Sequence, residues 1–169
     1  MANISIKAQQ MPASAIRKLV PFADAAKKEG VKVYHLNLGQ PDIKSPACAL
    51  EAIRNFNGEN VSYSHSAGLM ELRQGLVEKY YKKIGIDITA DELITTVAGS
   101  ESVNLALEIA CNPGDEVIVL EPFYTNYNTF AFMNGLTLKA IKTDIRKGFQ
   151  IPDIEEFEKA ITEKTKAIL

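Results

Sequence analysis

Cysteine and histidine are scarce. The 169 residues hold 2 of each, Cys48, Cys111, His35 and His65, all dispersed. None falls at metal-ligand spacing, so a metal site has no support. The two cysteines make no disulfide framework and read as reduced, buried thiols of a cytoplasmic protein. No apolar run approaches the roughly 20 residues that span a bilayer. The opening MANISIKAQQMPASAIRKLV has no continuous apolar segment behind its basic residues, so no signal peptide is expected. A basic excess is missing too. With 19 Lys and Arg against 21 Asp and Glu, the net charge of −2 gives no footprint for nucleic acid. Ser14, Ser64, Ser66 and Ser100 lack the Gly-x-Ser-x-Gly context of a serine hydrolase. The remaining composition suits a soluble globular chain with one domain's worth of core.

The richest stretch runs from Asp91 to Tyr127. Leu93-Ile94-Thr95-Thr96-Val97 is a short β-branched run and reads as a buried strand. Ala98-Gly99-Ser100-Glu101 breaks it. Val103, Ala106, Leu107 and Ala110 then follow helical spacing, widened by Leu105 and Ile109. A strand turning through Gly99 straight into a helix leaves free backbone N–H groups at the positive end of the helix dipole. That is a natural anion site. A plain connection without a ligand is the other reading. Only Gly99 is present of a Gly-x-Gly-x-x-Gly, and no Gly-Lys-Ser/Thr follows, so neither a dinucleotide fingerprint nor a P-loop is supported. Glu101 repels a dianion, so Ser100 and backbone N–H groups would hold it, with Glu101 turned away. Tyr124 follows the next strand. It could face the same pocket, because ligands gather at the carboxyl ends of parallel strands, and could stack on a planar ring. For Phe123, Tyr124, Tyr127 or Phe130 taken singly, a core aromatic is the simpler reading.

Elsewhere, residues 1–11 read as loose. Residues 13–29 read as a helix that kinks or restarts at Pro21 and closes at Gly30. Val31–Leu36 alternates like a strand, and Asn37–Asp42 is a loop whose Gly39 is free to adopt positive φ. Ser45-Pro46 opens a helix to about Phe56. Asn57–Asn60 is a turn, 61–68 a structured loop, and 69–84 an amphipathic helix ended by Gly85. Glu71, Arg73, Glu78, Lys79 and Lys82 lie around its apolar side, and the Lys and Glu residues of 71–83 and 155–166 read as solvated helix faces. The lone His35 and His65 suit packing or surface roles. Helices over 125–133 and 154–161, the latter capped by Asp153, flank a strand over 136–141, and a last strand opens at Thr165. This alternation predicts an α/β fold with a mainly parallel sheet flanked by helices. The closing Lys166-Ala167-Ile168-Leu169 looks like the start of a buried strand, so the chain reads as truncated.

Taken together and in order, Leu36-Asn37-Leu38-Gly39-Gln40-Pro41-Asp42, Tyr63-Ser64, Ala67-Gly68-Leu69-Met70-Glu71-Leu72-Arg73, Thr95–Glu101, Asn112-Pro113-Gly114-Asp115-Glu116-Val117 and Glu121-Pro122-Phe123-Tyr124 carry a resemblance. The chain, from about Ser14 to its end, resembles the class I/II aminotransferases of fold type I, especially aspartate-aminotransferase-like members. The resemblance implies pyridoxal 5'-phosphate as cofactor, amino acid and 2-oxo acid as substrates, and a cytoplasmic homodimer. It implies residues 1–45 as an N-terminal arm and part of a small domain, and 46–169 as the first, incomplete part of the cofactor-binding large domain. Gly99, Ser100 and Glu101 match the turn that grips the cofactor phosphate. Tyr124 matches the aromatic on the pyridine ring. Tyr63 matches the tyrosine that reaches the phosphate of the neighbouring subunit, and Gly39 the loop glycine beside the substrate carboxylate. The family's Schiff-base Lys, its Asn and Asp for the ring and its carboxylate-binding Arg all belong beyond Leu169. No catalytic residue is therefore assigned here, and this chain alone is expected to be inactive. A pyridoxal-phosphate lyase or synthase, or a non-catalytic dimerisation unit, are the other readings. The resemblance also leaves strand 93–97 without its neighbours, so a poorly stable or associating chain is expected.

Overall fold

A computed structural model describes residues 3–14, 16–58 and 60–169. Met1, Ala2, Ala15 in the expected first helix and Glu59 in the expected 57–60 turn lie outside them. The described residues form helices α1 (Ile6–Gln10), α2 (Val20–Lys28), α3 (Ala47–Arg54), α4 (Met70–Leu76), α5 (Gly99–Ala110), α6 (Asn126–Met133) and α7 (Ile154–Ala160). The strands are β1 (Glu116–Glu121), β2 (Thr137–Lys142) and β3 (Thr165–Ile168). The fold is α/β. It divides into two compact units, Met1–Gly39 with Ser102–Leu169, and Gln40–Glu101.

The first unit is organised by a parallel sheet in the order β2-β1-β3. Central β1 reads Glu-Val-Ile-Val-Leu-Glu, apolar without alternation. It takes the middle because both its faces are covered: Val117, Ile118 and Val119 are fully buried. Burying each such side chain stabilises the fold by about 1.5–3 kcal/mol. Edge strand β3 alternates half-buried and exposed residues, as period two predicts for one covered face. Leu107 of α5 and Ala131 of α6 close the core against Val117 and Leu136, with Val103, Cys111, Phe130, Leu138 and Ala167 around them. The turn from α5 into β1 is built by Asp115, whose carboxylate accepts from Asn112 N–H at 2.7 Å. Gly114 N–H then donates to Gly135 O at 2.8 Å, tying that turn to the one before β2. Gly135 needs to be glycine, because it lies at φ +68° with Pro113 Cβ 3.2 Å from any added Cβ.

Helix α2 starts beside Pro21, after a 3-10 turn over Arg17–Leu19, so the restart expected there is what forms. Gly30 at φ +81° ends it, with Val31 N–H bonded to Ala26 O at 3.0 Å. In the second unit, the helix expected over 69–84 is helical from Met70, with Leu69 as its extended N-cap residue. It runs as α4, then a π-helical stretch Val77–Tyr81 and a 3-10 turn Lys82–Ile84, closed by Gly85 at φ +75°.

Several expectations are corrected. Residues 6–10 are helical, because Ser5 caps them by accepting from Ala8 N–H at 3.1 Å. Lys7 Nζ anchors this helix on Met133 O. Neither 31–36 nor 93–97 is a strand. A strand exists only through a ladder, and neither stretch pairs with one among the described residues. Thr95 N–H instead donates to Ala67 O at 3.0 Å, and Ile94 and Val97 stay exposed. Arg73, placed by the sequence around the apolar side of the 69–84 helix, is buried, its Nη1 donating to Ala90 O at 2.6 Å and pairing with Asp91 at 3.7 Å. Cys48 is exposed and Cys111 only half-buried, although both are free thiols. Burial and the charge of Asp115 push the Cys111 thiol up. Gly39 is not at positive φ. Asp153 is the N-cap residue of α7, but its side chain makes no capping bond.

Candidate functional site

β1 ends at Glu121, whose carbonyl accepts from Thr143 N–H at 2.9 Å and Thr143 Oγ1 at 2.8 Å. These bonds fix the carboxyl end of the strand, where a parallel sheet collects ligands. The chain passes a cis Glu121–Pro122 peptide and enters the aromatic cluster before α6. Tyr124 is 48% exposed, so it is not a core aromatic. Its hydroxyl accepts from Asn126 Nδ2 at 2.6 Å, and its ring stands at 87° to Tyr127, centroids 5.6 Å apart. Hydroxyl and ring are thus both held while the ring stays accessible. Tyr127 in turn stacks on Phe123 and contacts Phe130, which packs on the core.

Tyr124 and Asn126 line a cavity of about 680 Å³ together with Ser14, Arg17, Asn37 and Leu38. The loop 37–39 is tied down where Asn37 Nδ2 donates to Ile16 O at 3.4 Å. The loop that carries Gly39 and the ring of Tyr124 therefore reach one cavity of the first unit. His35 also lines it, as a surface residue.

Gly99, Ser100, Glu101 and Tyr63 belong to the second unit. Gly99 opens α5, a 12-residue helix. Glu101 N–H donates to Ala98 O at 3.0 Å, which leaves Gly99 and Ser100 as first-turn donors without an intrahelical acceptor. The Glu101 carboxylate turns back to accept from Val97 N–H at 2.5 Å. It therefore caps the chain entering the helix rather than occupying the mouth of the turn. Gly99 and Ser100 are both exposed, and an added Cβ on Gly99 would meet nothing within 4 Å. Tyr63 lies on an extended loop with its side chain fully exposed. His65, in the same loop, has a structural task, its Nδ1 accepting from Ala67 N–H at 3.1 Å.

The profile of the family described as "Aminotransferase class I and II" matches residues 31–169. The chain belongs to the class I and II aminotransferase family. It is 33% identical over its whole length to the aspartate/prephenate aminotransferase of Thermus thermophilus, of which it covers 44%. It is 32% identical over 98% of its length to the aspartate aminotransferase of Thermotoga maritima, again covering 44%. Among solved structures, a double mutant of the Thermus thermophilus aspartate aminotransferase superposes at TM-score 0.89 and 34% identity, with 99% of this chain covering 44% of that one. The alanine aminotransferase of Pyrococcus furiosus gives TM-score 0.89 at 35% identity, with 98% of this chain covering 43% of it. The chain thus spans under half the length of the curated relatives it matches.

An aminotransferase of this family implies pyridoxal phosphate, and the residues present fit part of it. An exposed helix N-terminus at Gly99 and Ser100 suits a phosphate, and an accessible, oriented Tyr124 suits a flat ring. Sequence reasoning missed Asn126, which orients Tyr124. The signal available was an amide two residues after the tyrosine, at the start of a helix. It also missed Ser14 and Arg17 as lining residues, because nothing local joins them to a loop some twenty residues on.

Proposed function

We propose that this chain is the N-terminal part of a pyridoxal-phosphate-dependent amino-acid:2-oxo-acid aminotransferase of the aspartate-aminotransferase type. The observation that carries the reading is the cavity in which Tyr124, its ring accessible and its hydroxyl held by Asn126, meets the loop of Gly39. The names of the relatives at 32–33% identity agree with it. The cofactor, when bound, supplies the aldehyde and electron-withdrawing ring that carry the amino group. Gly99 and Ser100 N–H, with the Ser100 hydroxyl, hold its phosphate at the positive end of α5. The side chain of Glu101 stays on Val97 N–H, which keeps its charge off the phosphate while its backbone remains part of the turn. Tyr124 orients the ring by stacking. Backbone at Gly39 receives the substrate carboxylate. Tyr63, exposed on its loop, reaches the partner subunit of a homodimer. Residues 1–45 serve as arm and part of a small domain, and 46–169 as the first part of the large domain. Free cysteines suit a cytoplasmic setting. No lysine of residues 1–169 is assigned the covalent bond to the cofactor.

Titrating the purified chain with pyridoxal phosphate and with pyridoxal, followed by absorbance, tests this. Charge-assisted hydrogen bonds from the turn should make the phosphorylated form bind about tenfold tighter or more. Equal affinity for the two would overturn the assignment of the turn. Borohydride reduction and peptide mapping should label no single lysine stoichiometrically. Stoichiometric labelling of one lysine, together with turnover, would place the catalytic lysine inside this chain.

A further inference from the structure

Gly68 and Thr95 approach more closely than any side chain at position 68 would allow. Gly68 lies at φ +91°, and a Cβ built on it would stand 1.7 Å from Thr95 Oγ1 and 2.8 Å from Thr95 Cβ. Hydrogen bonds join the same two segments. Thr95 N–H donates to Ala67 O at 3.0 Å, and the Thr95 hydroxyl to the same oxygen at 3.4 Å. The segment that receives Thr95 is itself fixed. Gly68 N–H donates to His65 O at 2.8 Å, and Ala67 N–H to His65 Nδ1 at 3.1 Å.

A few residues earlier, buried Arg73 reaches from α4 to hold Ala90 O and Asp91. Thr89 and Glu92 close that turn as a capping box. Residues 90–95 are therefore pinned at both ends to residues 67–73. From Thr95 the chain has only Thr96, Val97 and Ala98 before α5 opens at Gly99, and Val97 N–H is already bonded to the Glu101 carboxylate. Little slack remains between the Gly68 contact and the first turn of the helix.

We propose that the Gly68–Thr95 contact is a positioning clamp that sets where the Gly99–Glu101 turn presents its N–H donors to a phosphate. The phosphate itself rests on the reading of the turn given above. Position 68 is glycine for two separable reasons, the left-handed backbone and the missing Cβ. Gly85 supplies the control. It lies in the same unit at φ +75°, with nothing within 4 Å of an added Cβ. Gly85→Ala strains the backbone in the same sense and displaces no neighbour.

Amide exchange of the full chain, resolved over Val97–Glu101, is measured for wild type, Gly68→Ala, Gly85→Ala and Thr95→Gly, with a pyridoxal phosphate titration alongside. Gly68→Ala should speed exchange at the hydrogen-bonded Val97 and Glu101 amides about tenfold or more, and Gly85→Ala should change it less than about twofold. Thr95→Gly removes the clamp from its other side without adding volume. It should speed the same amides even where Gly68→Ala fails to fold. Affinity for pyridoxal phosphate should fall in step with the exchange. Equal effects of the two alanine variants, or unchanged exchange in Thr95→Gly, overturn the clamp. A wild-type chain that does not bind pyridoxal phosphate overturns the cofactor reading instead, and the exchange rates still decide the clamp.

Discussion

Arg73 carries a charge into a place where the helical pattern alone would allow solvent. Its guanidinium is held there by the Ala90 carbonyl at 2.6 Å. A hydrogen bond from a charged donor is worth about 1.5–3 kcal/mol, so Arg73→Ala should destabilise the chain by about that much, measured by urea denaturation. Asp91 is 87% exposed, so Asp91→Asn should cost less than about 1 kcal/mol in the same measurement. Glu116 offers a second test at this scale. The Thr162 hydroxyl donates to its carboxylate at 2.6 Å, and with Lys139 at 3.4 Å holds that carboxyl below its ordinary value. Because the folded value is depressed, its stabilisation is fully present above the unfolded carboxylate range. It is lost as pH falls through the folded value. Denaturation midpoints followed downward from neutral pH should show that loss, and Thr162→Val should weaken it. An unchanged pH profile in Thr162→Val would show that the hydroxyl is not the cause. At the proposed site, Tyr124→Phe keeps the ring and loses only the bond to Asn126. Tyr124→Ala loses a stacking surface worth about 1 kcal/mol, so affinity for pyridoxal phosphate should fall roughly fivefold in the alanine variant and much less in the phenylalanine one.

Single elements differ in how firmly they are held. In α5, Leu107 is buried against Val117, Ala131 and Leu136, whereas Ile109 is 85% exposed. Leu107→Ala should cost about 2–5 kcal/mol, while Ile109→Ala should stay within about 0.5 kcal/mol, both read from urea midpoints. Comparable losses would mean that Ile109 is covered in solution. Helical elements were legible because their signals are local. Gly30 and Gly85 end helices where they stand in the sequence, and Pro21 sits near the start of α2. The helix at Ser5 was missed because one side-chain bond and an anchor from Lys7 to a distant carbonyl decide it. Residues 31–36 and 93–97 carry strand-like composition, but pairing is a property of two segments, and no ladder partner stands beside either among the described residues.

Across the molecule, large apolar side chains remain uncovered in both units. Leu36 is 96% exposed, Val61 90%, Val97 93% and Ile109 85%. A chain with this much uncovered apolar surface should self-associate, so sedimentation at about 1–100 µM should show mass rising with concentration. A cooperative thermal transition at constant monomer mass across that range would rule this out.

The sequence by itself determined the family-bearing motifs, most helix limits, and the alternation of strands and helices that makes the fold α/β. Each of these follows from local spacing or turn chemistry. It also pointed to Tyr124 and Gly99 as strand-end and helix-start residues. Only the tertiary structure decided that Arg73 is buried, that Asn126 holds the Tyr124 hydroxyl in a cavity shared with Asn37 and Leu38, and that Gly68 presses on Thr95. Those depend on segments far apart in the chain arriving at one place, which no local pattern encodes.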